Sequence, residues 1–259
     1  MPYTIAIAGK GGTGKTTLSA LITSYLLKKG KTPVLAVDAD PNANLNEVLG
    51  VGFDTTVVDT VDGIMAQKEN LPAGIPKERF VEYEVNDALV ESRGFDLLVM
   101  GRTEGPGCYC YANDLLRGFL DRLSSNYSYI VMDNEAGMEH LSRRTTRDVN
   151  LLLVTTNPTM VALRSAGRIY ETAQKLKLNK GKSYLILNRL NQAVGLSADE
   201  TAFASDLSTL EKSGLSLLGE MPYDDQVMVH SIEAKGVLDL PDDSAALAAV
   251  GEMMGKLGF

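Results

Sequence analysis

The sequence predicts an α/β fold: a doubly wound, mostly parallel sheet flanked by helices. Three observations predict it. Short, continuous apolar runs of strand length recur along the chain, beginning with TIAIAG at 4–9. Segments of helical length and pattern lie between them. A glycine-rich stretch joins the first run to the first helical segment. Strands that read as unbroken apolar runs are buried on both faces, as in a parallel sheet covered by helices.

In chain order, TIAIAG (4–9) is the first strand and residues 15–29 the first helix. VLAVD (34–38) is the second strand, an apolar run ending in an acidic residue. FDLLVMG (95–101), YIVMD (129–133), LLLVTT (151–156) and YLILN (184–188) follow, and LSLLGEMP (215–222) reads as a last strand. Helical patterns fill several gaps, notably 160–177 and 243–257. No repeat, low-complexity tract or linker interrupts the alternation, which predicts one domain over residues 1–259.

Hydrophobic residues make up 44% of the 259 and charged residues 22%, ordinary values for a globular protein. The formal net charge of −8 argues against general affinity for nucleic acid or an anionic membrane, both of which reward Lys/Arg patches. MPYTIAIAGKGG reaches glycine after one short apolar run, too short for a signal peptide, and no run approaches membrane-spanning length. These features predict a cytoplasmic protein with reduced thiols. The C-terminal DDSAALAAVGEMMGKLGF has only Lys256 as a base, whereas a membrane-surface helix wants a basic polar face. It reads as a helix packed on the domain.

Residues 9–16, GKGGTGKT, satisfy the phosphate-loop pattern G-x-x-x-x-G-K-[ST] between a strand and a helix. Gly11, Gly12 and Gly14 let backbone N–H groups turn inward around a phosphate with no Cβ in the way. Thr13 and Thr17 belong to the same nucleotide-binding stretch, and the helix start adds its positive dipole end. Lys15 is expected at the β- and γ-phosphates and Thr16 on Mg²⁺. The predicted ligand is ATP or ADP with Mg²⁺, on the fold of the P-loop NTPases.

Lys10, directly after the first glycine, makes the loop more specific. GKGGTGKT resembles the deviant Walker A motif of the MinD/ParA/nitrogenase-iron-protein class. The resemblance implies a homodimer that sandwiches two ATP molecules, with Lys10 reaching the partner's nucleotide. A cation supplied in trans would neutralise charge developing on the transferring phosphoryl group. VDADPNAN (37–44) resembles the class's switch I: Asp40 matches the aspartate that positions the attacking water, and Asp38 matches a second acid near Mg²⁺. YIVMDNEAGMEH (129–140) resembles Walker B and switch II, with Asp133 in the Mg²⁺ shell and Gly137 as a hinge. TTNPT (155–159) and ILNRL (186–190) also match. Asn188 is implied as the adenine contact, with Arg189 and Pro222 beside it. The matches run from residue 4 to about residue 224.

The chain's two cysteines, Cys108 and Cys110, share the loop EGPGCYCYAND. A reduced cysteine is a small buried apolar group, a nucleophile or a metal ligand. A Gly/Pro-rich, charge-bordered stretch disfavours burial. Only His140 and His230 could serve as a histidine base, and neither is adjacent in sequence. A C-x-C disulfide closes a small strained ring. Two thiolates one residue apart can bind one ion, yet a thiophilic tetrahedral site wants four ligands. A two-fold dimer would supply Cys108 and Cys110 twice.

GCYC together with DNEAGMEH looks like the CooC-type ATPases, which mature nickel enzymes. The resemblance implies Ni²⁺ or Zn²⁺ at a dimer interface and a client such as carbon monoxide dehydrogenase or acetyl-CoA synthase. Glu139 and His140 are candidates to relay nucleotide state to the metal loop. Two other readings compete. A positioning ATPase of the MinD/ParA type leaves the C-x-C idle and wants a basic face. An iron–sulfur carrier of the nitrogenase-iron-protein type wants more widely separated cysteines.

Overall fold

A computed structural model of the chain describes residues 1–66, 77–102, 122–135, 149–188 and 200–259. Its strands are β1 (Tyr3–Gly9), β2 (Val34–Ala39), β3 (Leu89–Glu91), β4 (Phe95–Val99), β5 (Tyr129–Asn134), β6 (Val149–Thr156), β7 (Asn179–Asn188) and β8 (Ser216–Met221). They form one sheet in the order β3-β4-β2-β5-β1-β6-β7-β8. Every pairing is parallel except β3 with β4.

All seven strands expected from the apolar runs are present, and the differences are local. The 95–101 run leaves the sheet after Val99: Met100 N–H donates to Asp38 O at 2.9 Å, and Gly101 turns the chain with φ +78°. β7 begins at Asn179, before the apolar YLILN, because the polar NKGKS also pairs with β6 across an irregular register. The antiparallel edge strand β3 is three residues long, too short to leave a pattern.

Each strand feeds two cores. Ile5 and Ile7 of β1 face one, with Val34, Ala36, Val131 and Leu153. Ala6 and Ala8 face the other, with Leu35, Val37, Met132 and Val154. This two-sided burial is why the strands lack polar alternation. The first face is covered by α1 (Lys15–Lys28), α2 (Leu45–Leu49) and α8 (Ala245–Lys256). The opposite face carries α3 (Val57–Ala66), α4 (Lys77–Asp87), α5 (Met160–Lys175) and α6 (Glu200–Lys212). α7 (Asp225–Ile232) and the short 3₁₀ turn Val237–Asp239 link β8 to α8.

The C-terminal helix packs on the domain as expected. Ala246, Leu247, Val250, Met253 and Met254 of α8 are buried. Phe259 meets the Tyr3 ring edge-on at 5.1 Å, and Tyr25 Oη donates to the Phe259 carbonyl at 3.3 Å. Among the described residues no helix is long and apolar enough to cross a membrane.

The topology fixes where a ligand can bind. β1 connects through α1 to β2, beyond β5 on one side, while β6 lies on the other side of β1. Crossovers that part in opposite directions open a crevice at the carboxyl ends of the central strands. The glycine loop, Asp38 and Asp133 all stand at those ends.

Candidate functional site

The glycine loop is the turn from β1 into α1, and it is braced from beneath. Gly9 is the register partner of Thr155 on β6. A Cβ there would lie 2.6 Å from Thr13 Oγ1 and also collide with Thr155, so only glycine fits. Thr13 is 2% exposed; its hydroxyl donates to Lys10 O at 2.7 Å and meets Thr155 Oγ1 at 2.9 Å. Asn188, at the end of β7, donates from Nδ2 to Thr13 O at 2.7 Å. Gly14 has φ +82°, and a Cβ on it would run into that same Asn188 amide. Gly11 and Gly12 differ: a Cβ on either would meet nothing within 4 Å. The loop is thus packed against the sheet on one side and open on the other, a preformed phosphate cradle.

Lys10 is exposed at the start of the loop, whereas Lys15 is buried at the start of α1. Thr16 and Thr17 are half-buried in the first turn. Thr17 borders a cleft of about 400 Å³ between α2 and α7 that is also lined by Asn46, Glu47, Val227 and Ser231.

Asp38 and Asp133 end their apolar strands as Cα register partners of β2 and β5. Asp38 is fully buried and accepts from Leu45 N–H at 2.8 Å and Asp40 N–H at 3.1 Å. Burial raises its pKa to about 6, the two N–H donors opposing the shift and the Asp40 charge adding to it. Asp133 is 1% exposed, and neither carboxylate oxygen has a hydrogen-bond partner among the described residues. Burial raises its pKa to about 7, reinforced by the Asp38 charge. The Thr16 hydroxyl and the Lys15 ammonium pull the other way, Thr16 without closing a hydrogen bond of good geometry. Two buried like charges beside a phosphate cradle are an electrostatic demand for a cation.

The donor set fits Mg²⁺. It offers hard carboxylate and hydroxyl oxygens and few protein ligands, the set that Mg²⁺ takes together with phosphate oxygens and water. Among the described residues no group of three or more His, Cys, Asp or Glu converges as a metal site, so Asp38 and Asp133 would act with the Thr16 hydroxyl. Asp40 is half-buried beyond Asp38, and its Oδ1 accepts from Asn42 N–H at 3.0 Å and Asn42 Nδ2 at 2.9 Å. That contact holds the carboxylate at the mouth of the site.

The structure therefore brings together Lys10, Gly11, Gly12, Thr13, Gly14, Lys15, Thr16, Asp38, Asp133 and Asn188. Pro222 follows β8, whose Met221 is the register partner of Asn188. Arg189, Cys108, Cys110, Gly137, Glu139 and His140 lie outside the described residues. Sequence reasoning missed the bracing role of Asn188 and the buried amide of Asn134. A polar residue closing an apolar strand is the signal both share, and it does not say what the side chain touches.

Comparison with known proteins gives a consistent result. Residues 4–236 match the family model described as the CobQ/CobB/MinD/ParA nucleotide binding domain. An ATP-binding protein of Methanocaldococcus jannaschii is 36% identical over 255 residues, covering 98% of this chain and 97% of that one. The carbon monoxide dehydrogenase accessory protein CooC of Rhodospirillum rubrum is 29% identical over 234 residues, covering 86% of this chain and 84% of that one. Among solved structures, the MinD cell division protein of Aquifex aeolicus superposes with a TM-score of 0.68 at 23% identity, covering 99% of this chain and 96% of that one. The chain belongs to the CobQ/CobB/MinD/ParA nucleotide-binding family, as an ATPase of the MinD/ParA class.

Proposed function

We propose that this ATPase is a metallochaperone that uses ATP-driven dimerisation to deliver nickel to a nickel–iron–sulfur enzyme. The ATPase part is supported above all by the unpartnered Asp133 carboxylate, paired in register with Asp38 at the phosphate loop. The delivery part is supported by GCYC and DNEAGMEH in a chain similar to a carbon monoxide dehydrogenase accessory protein.

The residues divide the work. The loop amides and Lys15 bind the phosphates, and the Asn188 and Thr155 braces keep the loop in its binding shape. Thr16, Asp133 and Asp38 would hold Mg²⁺, which when bound neutralises phosphate charge. Asp40 orients the attacking water. Lys10, exposed, reaches the nucleotide of a second copy. Dimer contacts made only with ATP would bring Cys108 and Cys110 of each copy together as four thiolates around one Ni²⁺ or Zn²⁺ ion. Nucleotide and metal then favour each other's binding reciprocally. Hydrolysis loosens the dimer and frees the ion for the client, carbon monoxide dehydrogenase or acetyl-CoA synthase.

The test combines size-exclusion chromatography with metal analysis, with and without a non-hydrolysable ATP analogue. The expected result is a dimer carrying one nickel or zinc ion in the analogue-bound state. A Cys108→Ser/Cys110→Ser variant should lose the ion and keep ATP hydrolysis. Equal metal binding by that variant would sink the proposal. The likeness to MinD supports a second reading, a positioning ATPase. Salt-dependent binding to DNA or anionic vesicles in the ATP state would favour it.

A further inference from the structure

Asn134 closes β5 directly after Asp133 and is 1% exposed. Its Nδ2 donates to Ile7 O on β1 at 2.8 Å and approaches Met132 O at 3.4 Å. The side chain therefore spans β5 and β1 at their carboxyl ends, the edge of the ligand crevice. Both neighbours of the amide nitrogen are carbonyl oxygens. The amide cannot be turned over without setting its own oxygen against them, so Oδ1 must point away from β1. That oxygen is buried with no hydrogen-bond partner among the described residues, as are both oxygens of the adjacent Asp133.

A buried acceptor without a donor is unfavourable, and folded proteins seldom keep one without a use for it. Packing alone does not call for this amide. An alanine would leave Ile7 O short of one donor but would bury no orphan oxygen. The combination of an anchored nitrogen and a presented oxygen is what a fixed acceptor for a small donor requires. Water is the donor of matching size, and beside Asp133 a bound water can donate one hydrogen to Asn134 Oδ1 and the other to the carboxylate.

We propose that Asn134 is a positioning residue for ATP hydrolysis, holding an ordered water at the crevice through Oδ1. In that reaction the attacking water oxygen bonds to the terminal phosphorus and the bond to the ADP oxygen breaks; of the water's two hydrogens one stays on the phosphate and the other is released to solvent as a proton. Asn134 acts by fixing a water; its own amide nitrogen stays bonded to Ile7 O. The inference rests on the ATPase assignment and is independent of metal delivery.

The test is steady-state ATPase kinetics of Asn134→Ala, with ADP affinity by calorimetry, thermal unfolding and a Mg²⁺ titration. The expected result is a kcat lowered at least tenfold with ADP affinity within threefold of wild type. A parallel loss of Mg²⁺ affinity would identify the water as metal-bound; unchanged Mg²⁺ affinity would identify it as the nucleophile. A kcat within twofold of wild type in an ADP-binding variant overturns the proposal. So does a kcat that falls only together with ADP affinity and unfolding temperature, which is the mark of a structural role. If Asn134→Ala fails to bind ADP, Asn134→Ser, small and polar, carries the same measurements.

Discussion

Asp38 and Asp133 face each other as register partners on adjacent parallel strands, both almost wholly buried, and Asp133 has no hydrogen-bond partner among the described residues. Their pKa values rise to about 6 and about 7, burial being the main cause in each. The fold thus holds charge in a place that destabilises it without a counter-ion.

Replacing Asp133 by Asn should therefore separate stability from activity. With its pKa raised in the folded state, Asp133 binds its proton more tightly folded than unfolded. Its charged form lowers stability as pH rises from about 4 toward 7, and the full penalty stands above 7. At pH 8 the Asp133→Asn protein without ligand should be more stable than wild type by about 1–3 kcal/mol. Its Mg²⁺-dependent ATPase should fall at least a hundredfold. Calorimetric unfolding and a phosphate-release assay measure the two effects; a variant less stable than wild type would contradict the electrostatic account.

Mg²⁺ binding should weaken in acid. A metal at this site needs both carboxylates unprotonated, so below about pH 7 it must first displace a proton from Asp133, and below about 6 another from Asp38. The apparent Mg²⁺ dissociation constant, measured in the presence of ADP, should rise about tenfold per pH unit for each proton displaced. A constant value between pH 8 and 5.5 would mean that these carboxylates do not face the ion.

The glycines of the loop should behave in two classes. Gly14→Ala combines φ +82° with a collision at Asn188, and should lose about 2 kcal/mol or more of stability together with nucleotide binding. Gly11→Ala meets open space and should keep stability within about 0.5 kcal/mol. Its ADP affinity should still drop at least tenfold, because the methyl group enters the phosphate cradle. Titration calorimetry and thermal melts on both variants decide the point.

Asp224 should be the most sensitive polar residue away from the loop. Its carboxylate accepts from Gln226 N–H at 2.9 Å, Ser244 Oγ at 2.7 Å and Ala246 N–H at 2.9 Å. One side chain thereby caps α7 and ties it to the start of α8. Burial works to raise its pKa, but these donors outweigh burial and lower it. Asp224→Ala should cost about 2–3 kcal/mol in urea unfolding. The wild-type advantage should shrink as pH falls below the ordinary aspartate range, since the folded state releases that proton more readily.

Much of this protein was legible in the chain because the information is local. GKGGTGKT carries its turn, its open backbone and its lysines within one stretch, and glycine and charge have the same meaning wherever the chain goes. The β1, β2, β5 and β6 runs declared a doubly covered parallel sheet because burial on both faces erases polar alternation. β3 was hidden because an edge strand can be short, and the early start of β7 because residues before Tyr184 pair only with β6, where one-sided pairing tolerates polar sequence.

By itself the sequence determined the fold class, the phosphate loop, the acidic strand ends and the C-x-C pair. Only the tertiary structure decided what the phosphate loop and the strand ends touch. Asn188 and Thr13 are 175 positions apart, and Asn134 and Ile7 are 127 apart. No spacing rule links them, since only the strand order β5-β1-β6-β7 sets their distance. The same packing leaves Asp133 unpartnered beside Asp38, because strands in register bring their ends together whatever charges those ends carry.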